Sequence, residues 1–141
     1  AYGHPSRATI DVDGELRDGV RSLAEFLSHH HIPSNLGQSL SGWSVVAMPP
    51  GYRERATVLI DAPGVRVSLL APVDFIISKL RRGTEEDLAD ATWIAARFHV
   101  SAPPVRTAAR AALAASLEDT ALFLFERTVD RFCDTLDATT P

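Results

Sequence analysis

Arg7-Ala8-Thr9-Ile10-Asp11-Val12-Asp13-Gly14 is the stretch on which the reading of this chain turns. Ile10 and Val12 alternate with Thr9, Asp11 and Asp13, the period-two pattern of a strand with one polar face. Residues two apart on a strand project to the same side, so Asp11 and Asp13 form a pair. Carboxylate oxygens are hard ligands of the kind Mg²⁺ prefers. Two of them side by side repel unless a cation sits between. Two metal ions about 3.5–4 Å apart can activate an attacking oxygen and stabilise a leaving pyrophosphate. D-x-D is also common as a solvated strand end, here with Gly14 following, so the spacing alone leaves both readings open.

Upstream, Ala1-Tyr2-Gly3-His4-Pro5 reads as the end of a helix, with Gly and then Pro preventing continuation. Downstream, Leu16 to His30 reads as an amphipathic helix whose buried stripe is Val20, Leu23, Ala24 and Leu27, and Pro33 stops it. Residues 33–42, rich in Ser, Asn and Gly, read as a loop, and Val45 to Met48 as a short strand. Arg55–Ile60 and Val65–Leu70 are apolar and β-branched, and Asp61-Ala62-Pro63-Gly64 between them predicts a hairpin. From Ala71 the pattern is helical, with helices expected near 72–81, 84–97, 103–115 and 118–136. Pro72 suits a first helical turn, and Thr84-Glu85-Glu86-Asp87 a helix start. Strands first and helices last predict an α+β fold. The expectation is a small mixed sheet in residues 1–70, with flanking helices and a C-terminal helical bundle in 71–141, all in a single compact unit.

The chain has 141 residues, 45% hydrophobic and 23% charged, which excludes disorder over its whole length. No apolar run approaches the roughly 20 residues of a membrane span. A single cysteine, Cys133, makes no internal disulfide, which fits a reducing compartment and predicts a cytoplasmic protein. A net charge of −4 disfavours a general nucleic-acid binder without excluding a local basic patch.

Tyr2 through Asp13 resembles the second half of the nucleotidyltransferase signature, and the R-x-T-x-D-x-D ending resembles its bacterial toxin-like branch, which includes the AbiE toxins. Leu70-Ala71-Pro72-Val73-Asp74-Phe75-Ile76-Ile77-Ser78-Lys79-Leu80 is similar to that branch's L-x-P-E-D-L-x-x-x-K-L helix. Arg82 with Asp87-Leu88-Ala89-Asp90 is similar to its R-x-x-x-D-L-x-D-I segment. The family's Gly-Gly or Gly-Ser turn, about a dozen residues ahead of its D-x-D, does not occur before Asp11 in this sequence. Glycine there lets backbone approach a triphosphate.

The resemblance implies Mg²⁺ as cofactor, Asp11 and Asp13 as its ligands, an NTP substrate, and an RNA or protein acceptor, in a toxin–antitoxin or defence setting. An antitoxin or a second copy of the chain is the implied partner, and no membrane. Lys79 is a point charge suited to phosphate, or else a solvated lysine. Asp87 and Asp90, three apart on one helical face, would orient Lys79 or Arg82 or touch metal-bound water. For Asp87 the competing role is to complement the helix dipole. Arg7 would meet phosphate or the acidic cluster. Asp61 is the candidate third carboxylate, although in D-A-P-G an Asp more often caps the turn. His29-His30-His31 does not converge on a metal, because adjacent helical residues diverge. Trp43, Trp93 and the stripe Leu122, Phe123, Phe125, Val129 and Phe132 read as core or interface. The alternative to an enzyme is a non-catalytic binding or partner module on the same scaffold.

Overall fold

The computed structural model describes residues 12–139. The chain divides into two compact units, one over Tyr2–Trp43 and one over Ser44–Pro141. The described part of the first is a parallel strand–helix–strand unit. Strand β1 (Val12–Glu15) pairs with β2 (Ser34–Gly37) in the register Val12↔Ser34, Asp13↔Asn35, Gly14↔Leu36 and Glu15↔Gly37. Helix α1 (Val20–His29) makes the crossover that parallel strands require.

Asp18-Gly19 delays the helix expected from Leu16. Gly19, at φ +75°, opens α1, and its carbonyl accepts the Leu23 amide at 2.9 Å. Leu27 is buried and Val20, Leu23 and Ala24 are half-buried, while the rest of the helix is exposed, as the apolar stripe predicts. At the other end His31 takes a left-handed conformation, φ 55°. Its amide bonds to Ser28 O at 3.0 Å and that of Ile32 to Leu27 O at 2.9 Å, the paired bonds of a Schellman cap. The stretch 33–42 is not all loop: Ser34–Gly37 is drawn into the ladder by β1, and Leu40–Trp43 forms a 3₁₀ turn.

The second unit begins with an irregular segment, not the strand expected at Val45–Met48. Side chains take its backbone groups in place of a ladder. The Ala47 amide donates to Ser116 Oγ at 2.8 Å, the Val46 amide to Ser44 Oγ at 3.2 Å, and Arg81 Nε to Val46 O at 2.7 Å. With these three groups bonded, the segment buries Val46, Met48 and Tyr52.

Strands β3 (Thr57–Ala62) and β4 (Val65–Leu69) form the expected antiparallel hairpin, with an irregularity between Val58 and Ile60. Its turn is Pro63-Gly64. Proline presets the first turn position and Gly64 supplies φ +80° at the second. The hairpin is exposed at all six β3 positions and at four of the five in β4, with Leu59, Ile60 and Val65 each more than half exposed. The expected mixed sheet is therefore, among the described residues, two two-stranded sheets, one parallel and one antiparallel.

Helices α2 (Pro72–Leu80), α3 (Glu85–Phe98), α4 (Ala102–Ala114) and α5 (Ala121–Thr139) follow, close to the predicted spans. Helix α2 is central and packs on the other three. Its Ile76, Ile77 and Leu80 are buried with Ile94 of α3, Val105 of α4 and Phe125, Val129 and Phe132 of α5. Each such side chain contributes about 1.5–3 kcal/mol on burial. Ala102, Ala109 and Ala112 keep the core face of α4 narrow. The aromatic stripe of α5 needs one correction: Phe125 is buried but Phe123 is 59% exposed. Two residues on a helix are about 200° apart, so both cannot face the core. No described helix is long and apolar enough to cross a membrane.

Candidate functional site

Asp13 lies on β1, opposite Asn35 of β2. Asp11 and Arg7 lie outside the described residues. Glu15, two residues beyond Asp13 on the same strand, continues the period-two series Asp11, Asp13, Glu15. Its Oε2 accepts the Leu40 amide at 2.8 Å, which ties the 3₁₀ turn to the strand. The sequence reading did not single out Glu15, although the uninterrupted alternation pointed to it. Gly14 between the two acids leaves ordinary van der Waals room, since a Cβ there would stand 3.7 Å from Leu36 Cδ2. The donor set is all oxygen, which suits a hard divalent cation. Among the described residues no group of three His, Cys, Asp or Glu side chains converges as a metal site, and the histidines at the end of α1 do not. The His29 and His30 rings meet edge to face at 5.3 Å, and Phe26 lies against His30 at 4.4 Å.

The α2–α3 junction brings together four residues read from the sequence. Gly83, at φ +65°, turns the chain, and Thr84 caps α3 by accepting the Asp87 amide at 3.2 Å. Asp87 is thereby held 2% exposed beneath the end of α2. Arg82 grips it with two bonds, NH2 to Oδ1 at 2.6 Å and Nε to Oδ2 at 3.1 Å. Thr84 Oγ1 donates to Oδ2 at 2.8 Å. Lys79 Nζ reaches Asp90 Oδ2 at 2.9 Å and Asp87 Oδ1 at 3.5 Å. It also stands 5.4 Å from the Phe75 ring centroid, within cation–π range. Burial pushes the Asp87 carboxyl upward. The hydrogen bonds from Arg82 and Thr84 and the charges of Arg82 and Lys79 outweigh it, so Asp87 stays below the ordinary carboxylate range.

Two cations and two carboxylates make this cluster formally neutral. A phosphate approaching it competes with Asp87 and Asp90 for the same protons. Lys79 is largely covered while the Arg82 side chain is 56% exposed, so Arg82 is the more open of the two cations. Asp87 does more than complement the α3 dipole, because it bonds side chains from both sides of the turn.

Asp61 does not lie in the turn itself. It is on β3, directly opposite Arg66 of β4, and the two side chains pair fork to fork at 2.7 and 3.3 Å. The Arg66 hydrogen bond and charge hold the Asp61 carboxyl below its usual range. A second pair escaped the sequence reading. Asp74, 1% exposed in the first turn of α2, accepts two bonds from Arg55. Its only sequence signal was its place in the matched helix motif.

A family model described as "Nucleotidyltransferase of unknown function (DUF6036)" matches residues 3–131. No curated protein and no solved structure matches the chain.

Proposed function

The chain belongs to this nucleotidyltransferase family, and from that premise we propose that it is a cytoplasmic, Mg²⁺-dependent enzyme that transfers a nucleotidyl group from an NTP to an acceptor hydroxyl on RNA or protein. The observation that carries the reading is the D-x-D pair whose second member, Asp13, stands on the first strand of a parallel strand–helix–strand unit. Asp11 and Asp13 are the cation ligands in this reading. A bound divalent ion there supplies charge stabilisation at the attacking and leaving oxygens. The acceptor oxygen forms a new bond to the α-phosphorus, the α–β bridge breaks, and pyrophosphate leaves with the bond's electrons. Asp61, on an exposed strand, receives the acceptor proton once Arg66 releases it. Arg82 and Lys79 take phosphate oxygens, and Asp87 and Asp90 set the direction of those two cations. Arg7 is a further phosphate contact. The toxin-like motif spacing supports a defence or toxin–antitoxin setting, with an antitoxin or a second copy as partner.

The second reading is a non-catalytic partner module. The pairing of Lys79 with both Asp90 and Asp87 favours it, because the largely covered ammonium is already engaged by two carboxylates of the fold itself. α-Labelled NTPs, incubated with the protein, Mg²⁺, and RNA or protein extract, separate the two. Label on an acceptor, lost in Asp13→Asn, supports the enzyme. Absence of label from folded wild type, with no NTP or Mg²⁺ binding by calorimetry, supports the module.

A further inference from the structure

The β3–β4 hairpin has little to hold it in place through its own side chains. It is exposed along nearly its whole length and pairs with no other strand among the described residues. What fastens it lies at its root. Two residues before β3, Arg55 extends its guanidinium to the first turn of α2 and meets Asp74 with Nε to Oδ2 at 2.9 Å and NH2 to Oδ1 at 2.8 Å. The remaining terminal nitrogen, NH1, donates to Pro50 O at 2.9 Å. One side chain thus joins the Pro49-Pro50-Gly51 turn, the start of β3 and the start of α2.

The carboxylate end is built to receive it. Asp74 is 1% exposed, and no buried side-chain nitrogen or oxygen among the described residues lacks a partner. A planar fork on a carboxylate fixes direction as well as distance, which an ammonium would not do. The turn is cut to the same shape. Gly51 has φ +79°, and a Cβ at that position would stand 2.9 Å from Arg55 NH1. A side chain at that position would strain the backbone and displace the guanidinium from its place, so glycine suits both the turn and the Arg55 fork. Tyr52 and Met48, on either side of the turn, are both buried.

We infer that Gly51, Arg55 and Asp74 form a lock that sets the direction of the hairpin against α2, with Asp74 as a positioning residue. Asp61 rides on the hairpin and Lys79 on α2, so the lock governs the disposition of those two candidate residues. That consequence for transfer rests on the proposed function, whereas the lock itself does not.

Pulsed electron–electron resonance on the full chain tests it, with spin labels at Ser68→Cys on β4 and Thr107→Cys on α4. Both positions are exposed, and Cys133 is fully buried away from label. The wild-type background is expected to give a single narrow distance distribution. Asp74→Asn and Gly51→Ala are expected to broaden or shift it. The double variant Arg55→Met/Asp74→Leu leaves no buried charge behind and guards against loss of folding. It is expected to broaden the distribution with the helical unfolding midpoint retained. A broad distribution in the wild type overturns the lock, as does one that stays narrow and unshifted in Gly51→Ala and the double variant. Neither readout involves nucleotide, so failure here leaves the transferase reading standing, and failure of that reading leaves the lock standing.

Discussion

Arg82 and Asp87 meet fork to fork across the α2–α3 turn, at 2.6 and 3.1 Å, with Asp87 buried and Arg82 more than half exposed. The pair lies between two helices that share the core, so it bears on stability as well as on any ligand. Asp87→Ala removes an acceptor used by Arg82, Thr84 and Lys79 together. Exposure of Arg82 lets water replace part of the loss. The expected destabilisation is about 1–3 kcal/mol, read from urea unfolding followed by circular dichroism. A variant within error of wild type would show that the cluster contributes no net stability.

The same carboxylate sets an acid limb. Its folded pKa is depressed, so the unfolded chain binds the proton more readily. The stability contributed by Asp87 is therefore present above the unfolded carboxylate value, about 3.9. It is lost as pH falls from there through the lower folded value. Urea midpoints of wild type are expected to fall more steeply between neutral pH and strong acid than those of Asp87→Asn. Parallel curves would contradict the assignment.

Asp13→Asn keeps the size and one oxygen acceptor at the β1 position but removes a charge from the D-x-D pair. Loss of a metal-holding carboxylate is expected to cost about three orders of magnitude in transfer rate, or about 4 kcal/mol of barrier. The melting temperature is expected to hold or rise, since one of two like charges has gone. Equal label transfer by wild type and variant would remove Asp13 from the reaction.

Lys79→Met separates a phosphate hand from a structural tie. In the transferase reading it weakens NTP binding by about 10- to 100-fold, the worth of one charge-assisted hydrogen bond. Titration calorimetry with NTP and Mg²⁺ reads it. Unchanged NTP affinity together with a lowered unfolding midpoint would assign Lys79 to the helix junction alone.

His99 closes α3 in a left-handed conformation at φ 52°, with Val100 N bonded to Ala95 O at 2.9 Å. Glycine adopts that conformation without a Cβ penalty. His99→Gly is expected to stabilise the helical unit by about 0.5–1 kcal/mol, the left-handed penalty of about 1–2 kcal/mol less the roughly 0.5–1 kcal/mol of extra chain entropy that glycine loses on folding. A lowered thermal midpoint would mean that the imidazole makes a contact worth more than the strain.

Local signals in this chain are those that a few neighbouring residues can satisfy by themselves. Pro72 at a helix start, Thr84 as a cap, Pro63-Gly64 as a turn and the 3.6-residue stripe of α1 each act over one or two turns of backbone, so the helices and the hairpin were legible in the residues alone. So was Asp13 on a strand, because alternation is a property of the strand itself. Tertiary structure decided the rest. Val45–Met48 has strand-like residues, yet Ser116 and Arg81, distant in sequence, supply its hydrogen bonds and leave it irregular. Ser34–Gly37 has loop-like residues, yet β1 offers it a ladder. Lys79, Arg82, Asp87 and Asp90 were visible as charges, but the Gly83 turn that folds α3 back on α2 determines that they pair with one another. Asp74 looked like one more helical acid until Arg55, 19 residues away, was brought to it. Propensity is a property of adjacent residues, whereas the partner of a charge or of a backbone amide is set by which distant groups the core brings within about 3 Å.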